Sequence, residues 1–169
     1  MVGSGESFLP YRSLVKLDLL TNMTEFSLRP ATVDDFSAIR ELIRKVHINP
    51  TGLDWPRFVV AVDRSGKMLG CGQLKVHDKD VIELASIAVI PEYRYLGIAR
   101  AIIEKLTSKA PRPLYLTCRF ALRPFYEKWG FRVIKRSEMP CYFRRLDRLT
   151  SLFSPLVRLD GGLFIMRLL

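Results

Sequence analysis

An α/β fold built on a mixed, mostly antiparallel, twisted sheet flanked by helices is what this sequence predicts, and three observations carry that expectation. Apolar runs at 58–62, 68–76 and 81–90 follow one another with only the short turns Arg64-Ser65-Gly66-Lys67 and Asp78-Lys79-Asp80 between them, as consecutive antiparallel strands do. The third run stops at Pro91 and gives way to helical spacing at Ile98, Ala101, Ile102 and Leu106, so a buried strand feeds a helix through a short turn. Further strand-like runs at 114–118, 131–134 and 163–168 then alternate with helical segments.

The elements follow in order. Phe26 to Pro30 reads as the first strand. Asp34 and Asp35 stand where acids suit a helix start, and Phe36, Ile39, Leu42, Ile43 and Val46 recur at helical spacing through about Lys45. Residues 47–56 hold two prolines and a glycine and form a loop. In the partner strand, Gly70 and Gly72 suggest a bulge or a close approach of another element. Pro111 and Pro113 end the helix after the central strand. Leu122 to Trp129 reads as a short helix stopped by Gly130, with Pro124 tolerated only in its first turn. Tyr142 to Phe153 is amphipathic, with Leu146, Leu149 and Phe153 on one face and Arg144, Arg145 and Arg148 beside them. That arginine cluster reads as a solvated helix face, or as a lid, a docking surface or a nucleic-acid contact.

Composition bounds the function. The 169 residues suit one domain with a substantial core, taken as residues 23–169. Residues 1–22 read as an N-terminal extension: either Met23 is the natural start, or the apolar positions from Leu14 to Leu20 form a short docking helix. Neither a signal peptide nor a run of eighteen apolar residues is evident. Cys71, Cys118 and Cys141 form neither a zinc pattern nor a disulfide framework, and His47 and His77 are the only histidines. No metal is expected, and a reducing cytoplasmic setting is. The net charge of +10 is unevenly spread: residues 1–90 are balanced, and residues 91–169 carry sixteen Lys/Arg against six acids. A basic half of that kind attracts polyanions, whether a phosphorylated cofactor, nucleic acid or an acidic surface.

Within that half, Arg94-Tyr95-Leu96-Gly97-Ile98-Ala99-Arg100 joins the central strand to its helix. Small residues at a helix N-terminus expose unpaired N–H groups, the dipole adds about half a positive charge, and two arginines flank the turn. A pyrophosphate fits such a turn. It has neither the Gly-Lys-Ser/Thr of a P-loop nor the Gly-x-Gly-x-x-Gly of a dinucleotide fold.

The stretch Ile87-Ala88-Val89-x-Pro91-x-Tyr93-Arg94-x-x-Gly97-x-Ala99 resembles the acetyl-CoA signature of the GNAT superfamily of N-acyltransferases, Gln/Arg-x-x-Gly-x-Gly/Ala. Phe125-Tyr126-Glu127-Lys128-Trp129-Gly130-Phe131 is similar to that family's later Tyr-x-x-x-Gly-Phe motif. The resemblance covers roughly residues 25 to 140. It implies central strands that splay apart, an acetyl-CoA cosubstrate and direct acetyl transfer to a primary amine on a small molecule or a protein.

Residue by residue, the resemblance implies that the backbone of Ile87, Ala88 and Val89 bonds the pantetheine arm like an added strand and polarises the thioester. Arg94, Tyr95, Leu96, Gly97, Ile98, Ala99 and Arg100 would hold the pyrophosphate. Glu83, eleven residues before Arg94 and the lone charge on its strand, would be the general base. Its neighbours Val81, Ala85 and Ile87 would make the carboxylate a better proton acceptor. The bland alternative is a structural pair with Lys75 or Lys79. Tyr126 would protonate the departing thiolate, or else pack as a core tyrosine with Phe125 and Trp129. The chain departs from the family seven residues before Tyr126, where Arg119 replaces a cofactor-contacting asparagine. Arginine there suits a phosphate. Cys118 beside it reads as a buried spectator more readily than as a nucleophile. His47, Asn49, Asp54 and Trp55 lie in the loop that the resemblance assigns to the acceptor pocket. The competing reading is a non-catalytic domain that holds CoA, or docks on RNA or protein through its basic half.

Overall fold

Strand and helix alternate as the hydrophobic periodicity predicts. The computed structural model describes residues 25–78, 81–153 and 163–169. Its strands are β1 (Ser27–Pro30), β2 (Phe58–Val62), β3 (Met68–Asp78), β4 (Val81–Val89), β5 (Leu114–Arg119), β6 (Arg132–Val133) and β7 (Leu163–Leu168). Its α-helices are α1 (Phe36–Lys45), α2 (Ile98–Thr107), α3 (Arg123–Glu127) and α4 (Cys141–Phe153). The extension at 1–22 and residues 79–80 of the turn between the second and third apolar runs lie outside the described residues.

The described strands form one sheet in the order β1-β2-β3-β4-β5-β7-β6. Every neighbouring pair is antiparallel except β4 with β5. The parallel step is forced by connectivity, because α2 carries the chain back to the start of the sheet before β5 begins.

The two faces of the sheet are covered by different helices. Ile39, Leu42 and Ile43 of α1 pack with Phe58, Val60, Cys71 and Ala88. Ile98, Ile102, Ile103 and Leu106 of α2 pack with Leu84, Leu114 and Leu116. Each isoleucine, leucine, valine or phenylalanine among them contributes about 1.5–3 kcal/mol on burial. Gly72 is the close approach that its position suggests: a Cβ there would stand 2.5 Å from Ile87 Cδ1 and 2.7 Å from Ile102 Cγ2. Gly72 therefore faces α2, and its strand neighbour Cys71 faces α1. By the same alternation on β5, Tyr115 points away from Leu114 and Leu116, into a cluster with Phe143 of α4 and Ile165 of β7. Thus α1 and α4 cover one face, while α2 covers the other, together with α3, whose Tyr126 joins the α2 cluster.

Three boundaries differ from expectation. The segment before α3 is a 3-10 turn, Phe120–Leu122, so the helix proper starts at Arg123, with Pro124 in its first turn. The expected strand at 131–134 narrows to the two-residue β6 at the sheet edge. In α4 the inward side chains include Tyr142, Phe143 and Leu146, whereas Leu149, expected beside Leu146, is exposed. The aromatic pair at the start of the helix reaches the sheet first and sets its rotation.

Asp35 locks the first helix to the first strand. Its carboxylate accepts two bonds from the Arg29 guanidinium, at 2.6 and 2.9 Å, and one at 2.7 Å from the Thr32 backbone N–H. The Arg29 hydrogen bond is the leading cause that lowers the Asp35 pKa from 3.8 to about 2. A depressed folded-state value means stability that is present above pH 3.8 and is lost as pH falls toward 2. Asp35→Asn is expected to cost about 1–3 kcal/mol at pH 7. Denaturant unfolding as a function of pH should show the wild type losing its advantage over the variant between pH 4 and 2.

Candidate acetyl-CoA and acceptor site

The site begins with a misfit in β4. Between the pairs Gln73–Ala85 and Cys71–Ala88, β3 advances two residues while β4 advances three. The surplus is a β-bulge, and Ser86 takes it up at φ +58°, an uncommon conformation for a residue with a Cβ. The bulge re-phases the strand. Leu84 packs under α2 before it and Ala88 packs under α1 after it, although both positions are even-numbered. Glu83, Ala85, Ser86 and Ala88 therefore share the α1/α4 face.

Just here β4 and β5 part company. Their register runs through Ile82–Leu114, Glu83–Tyr115 and Leu84–Leu116 and then stops. Beyond that point β4 continues on β3 alone, and β5 continues on β7 alone. The result is a fork whose β4 side is the backbone of Ala85 to Val89. Ile87, Ala88 and Val89 line it as the sequence motif implies, with their side chains committed to the helix-covered cores.

The fork opens toward the turn before α2. Arg94, Tyr95, Gly97 and Arg100 are exposed, Leu96 and Ala99 are half-buried, and Ile98 is buried and anchors the helix start. Gly97 is the N-cap of α2 at φ +81°, a conformation glycine adopts freely, and nothing lies within 4 Å of the point where a Cβ would project. The amides of the first turn of α2, which have no intrahelical carbonyl to pair with, follow directly on this exposed glycine. Arg100 bonds Glu104 at 3.1 Å and lies 5.8 Å from the centre of the Trp129 ring, tying α2 to the segment after α3. Arg119 is exposed at the far end of β5, on the other arm of the fork.

Glu83 sits at the base of the fork, on the α1/α4 face. It is only 8% exposed, and both oxygens are engaged. Oε1 accepts from Thr117 Oγ1 at 2.9 Å, and Oε2 is 2.7 Å from His77 Nε2. Its cross-strand partner is Lys75, yet the Lys75 ammonium is bonded at 2.7 Å to the Thr51 carbonyl in the loop after α1. Burial lowers the Lys75 pKa, and the Glu83 charge partly opposes that shift. The expected structural pair with Lys75 is thus a register neighbour, and the direct partners are His77 and Thr117. Gln73, fully buried, donates to Ser86 Oγ at 2.9 Å. Its Oε1 is the one buried side-chain nitrogen or oxygen without a partner among the described residues.

Tyr126 approaches from the opposite face. It packs with Cys118 and edge-on to Phe125 and Phe131, so both the core role and the motif position are occupied by one side chain. Burial raises its pKa and keeps it a phenol. Cys118 is buried, and its pKa rises to about 11, which removes it as a nucleophile. Among the described residues no cluster of ligands could hold a metal ion.

His77, Thr117, Gln73 and Tyr142 were not singled out by the sequence. Each is unremarkable in its own segment and becomes notable only through strand register. The signal nearest to detection was polarity at alternate positions of β3: Gln73, Lys75 and His77 all fall on one face.

Similarity to known proteins agrees with this geometry. Residues 54–133 match the acetyltransferase (GNAT) domain family. An amino-acid acetyltransferase of Azotobacter vinelandii is 31% identical over 120 residues, 66% of this chain and 28% of that protein. A Pseudomonas putida amino-acid acetyltransferase is 29% identical over 65% of this chain. The chain thus spans 28% of the length of these curated relatives. Among solved structures, Mycobacterium tuberculosis Rv2747 in complex with CoA and NLQ superposes with a TM-score of 0.66 and 25% identity, over 85% of this chain and 98% of that one. N-acetylglutamate synthase from Neisseria gonorrhoeae, complexed with coenzyme A and N-acetyl-glutamate, has a TM-score of 0.63 and 21% identity over 86% of this chain and 35% of that one. Over residues 54–133, which hold the fork and the turn, the chain is thus similar to the GNAT acetyltransferase domain, and it shares the mixed sheet of these structures.

Proposed function

We propose that this domain transfers the acetyl group of acetyl-CoA directly to the primary amine of a free amino acid. The observation that carries the proposal is the fork between β4 and β5, with Glu83 at its base on one face, Tyr126 on the other, and the open amide turn of α2 at its mouth. The amino acid as acceptor rests on the relatives, which are amino-acid acetyltransferases.

In this reading the pyrophosphate lies on the turn from Arg94 to Arg100, with Arg119 supplying a further positive charge. The pantetheine arm runs along Ile87, Ala88 and Val89 as an added strand. The acceptor enters from the α1/α4 face, where the loop over Lys75 and the start of α4 flank Glu83. Glu83 takes a proton from the ammonium, the freed lone pair attacks the thioester carbon, the C–S bond breaks as the tetrahedral intermediate collapses, and the acylated nitrogen releases its second proton to solvent. A β4 amide at the fork stabilises the intermediate's oxyanion. Tyr126, held as a phenol by burial, favours a hydrogen bond to the departing sulfur over outright loss of its proton, so its main contribution is charge stabilisation while the thiolate takes its proton from solvent. No step calls for a metal. The proposal takes residues 23–169 as the catalytic domain and the cytoplasm, where acetyl-CoA is available, as its setting. Among the described residues no helix is long and apolar enough to cross a membrane.

Calorimetry with acetyl-CoA should give micromolar binding to the wild type and none to Gly97→Glu, which sets an anion in the turn and strains a left-handed backbone. A folded wild type that ignores acetyl-CoA would instead favour the docking-module reading, and salt-dependent RNA binding would be measured next. With an amino-acid panel as acceptors, Glu83→Gln is expected to lower kcat by about 10²–10⁴-fold with acetyl-CoA affinity unchanged. Tyr126→Phe should lower kcat by a smaller factor. Full activity of Glu83→Gln would remove the base from the scheme.

A further inference from the structure

The structure assigns His77 a role as the positioning residue for Glu83; the catalytic consequence rests on the proposed acetyl transfer, while the geometry does not. A second irregularity in β3 is its source. Between the pairs Val76–Ile82 and Asp78–Val81, β3 advances two residues while β4 advances one, and the surplus residue is His77. His77 lies on the face that alternation also gives Gln73 and Lys75, and from the bulge its imidazole reaches Glu83, 2.7 Å from Oε2.

The ring is held from three sides. Tyr142 of α4 stacks on it with centroids 3.6 Å apart and planes 17° from parallel, Phe143 meets it edge-on at 5.8 Å, and its side chain is 11% exposed. An ionised carboxylate only accepts, so Nε2 carries the hydrogen of this bond. Thr117, the first β5 residue beyond the last β4–β5 pair, fixes the other oxygen. One bond to each oxygen leaves one further acceptor direction on each and removes the rotation a lone buried glutamate would have. The charged and titratable groups facing the pair are Lys75 from β3 and Tyr142 from α4, whose pKa burial raises, with the Glu83 charge adding to that shift. What His77 supplies is a fixed aim for the carboxylate, and α4 supplies the rigidity of His77.

Two variants separate this role from packing. His77→Phe keeps an aromatic ring for Tyr142 to stack on and deletes the donor. His77→Gln carries an Nε2–H donor at a similar reach from the backbone. A crystal structure of His77→Phe should show Glu83 released from the orientation it shares with Thr117, and His77→Gln should retain it. In turnover with the amino-acid panel, His77→Phe should lose about 10–100-fold in kcat. KM for acetyl-CoA should stay constant, and His77→Gln should recover most of the loss. Glu83 unmoved in His77→Phe, or equal kcat losses in both variants, would overturn the assignment. A wild type that binds no acetyl-CoA would refute the proposed function instead, and the crystallographic comparison would still decide whether His77 holds Glu83.

Discussion

The bulge in β4 is the constraint on which the rest of this structure depends. A regular β4 would keep its backbone paired on both sides and its side chains in one phase from end to end. Ser86 at positive φ breaks both regularities at once. It ends the shared register with β5 after Leu84, and it moves Ala88 to the α1 core while Leu84 remains in the α2 core. Such a conformation costs about 1–3 kcal/mol and persists only where the surroundings hold it. Here they do: Gln73 bonds the Ser86 hydroxyl, and buried side chains on both faces fix the strand before and after the bulge.

Two misfits of opposite sense in one strand pair build the polar side of the site. The β4 bulge opens the fork, and the β3 bulge four pairs away carries His77, which bonds Glu83. The same sheet face then carries Gln73, Lys75, His77, Glu83 and Thr117 in a largely apolar interior, with α4 covering one end and the loop after α1 the other. A buried polar group is stable only when its partners are present, and each of these side chains has one: Gln73 has Ser86, Lys75 has Thr51, and Glu83 has His77 and Thr117. The unpartnered Gln73 Oε1 is the place where that bonding remains incomplete.

Much of this was legible in the sequence, and the reason is periodicity. Runs of β-branched residues ending at Pro91, and isoleucines at helical spacing after Gly97, specify the β4-turn-α2 unit locally. Gly72 announced a close approach because only a residue without a side chain fits beneath Ile102. What escaped the sequence depends on register. Nothing local says that the residue opposite Glu83, Lys75, turns to Thr51, or that His77 replaces it as partner. The first depends on where the loop after α1 comes to rest, and the second on how β3 and β4 pair around Glu83. The rotation of α4 was misjudged for a related reason. Spacing alone permits Leu149 as a core residue, whereas in the fold Tyr142 stacks on His77 and Phe143 packs with Tyr115 and Ile165, and Leu149 is left exposed.

The account's central claim is that the unpaired β4 edge from Ala85 to Val89 receives the cofactor as an added strand. Amide hydrogen exchange, resolved residue by residue with and without saturating CoA, tests it most directly. The account predicts that exchange at the fork-facing amides in this stretch slows when CoA binds, while the amides paired to β3 change little. Saturable CoA binding with no change in exchange between Ala85 and Val89 would contradict it.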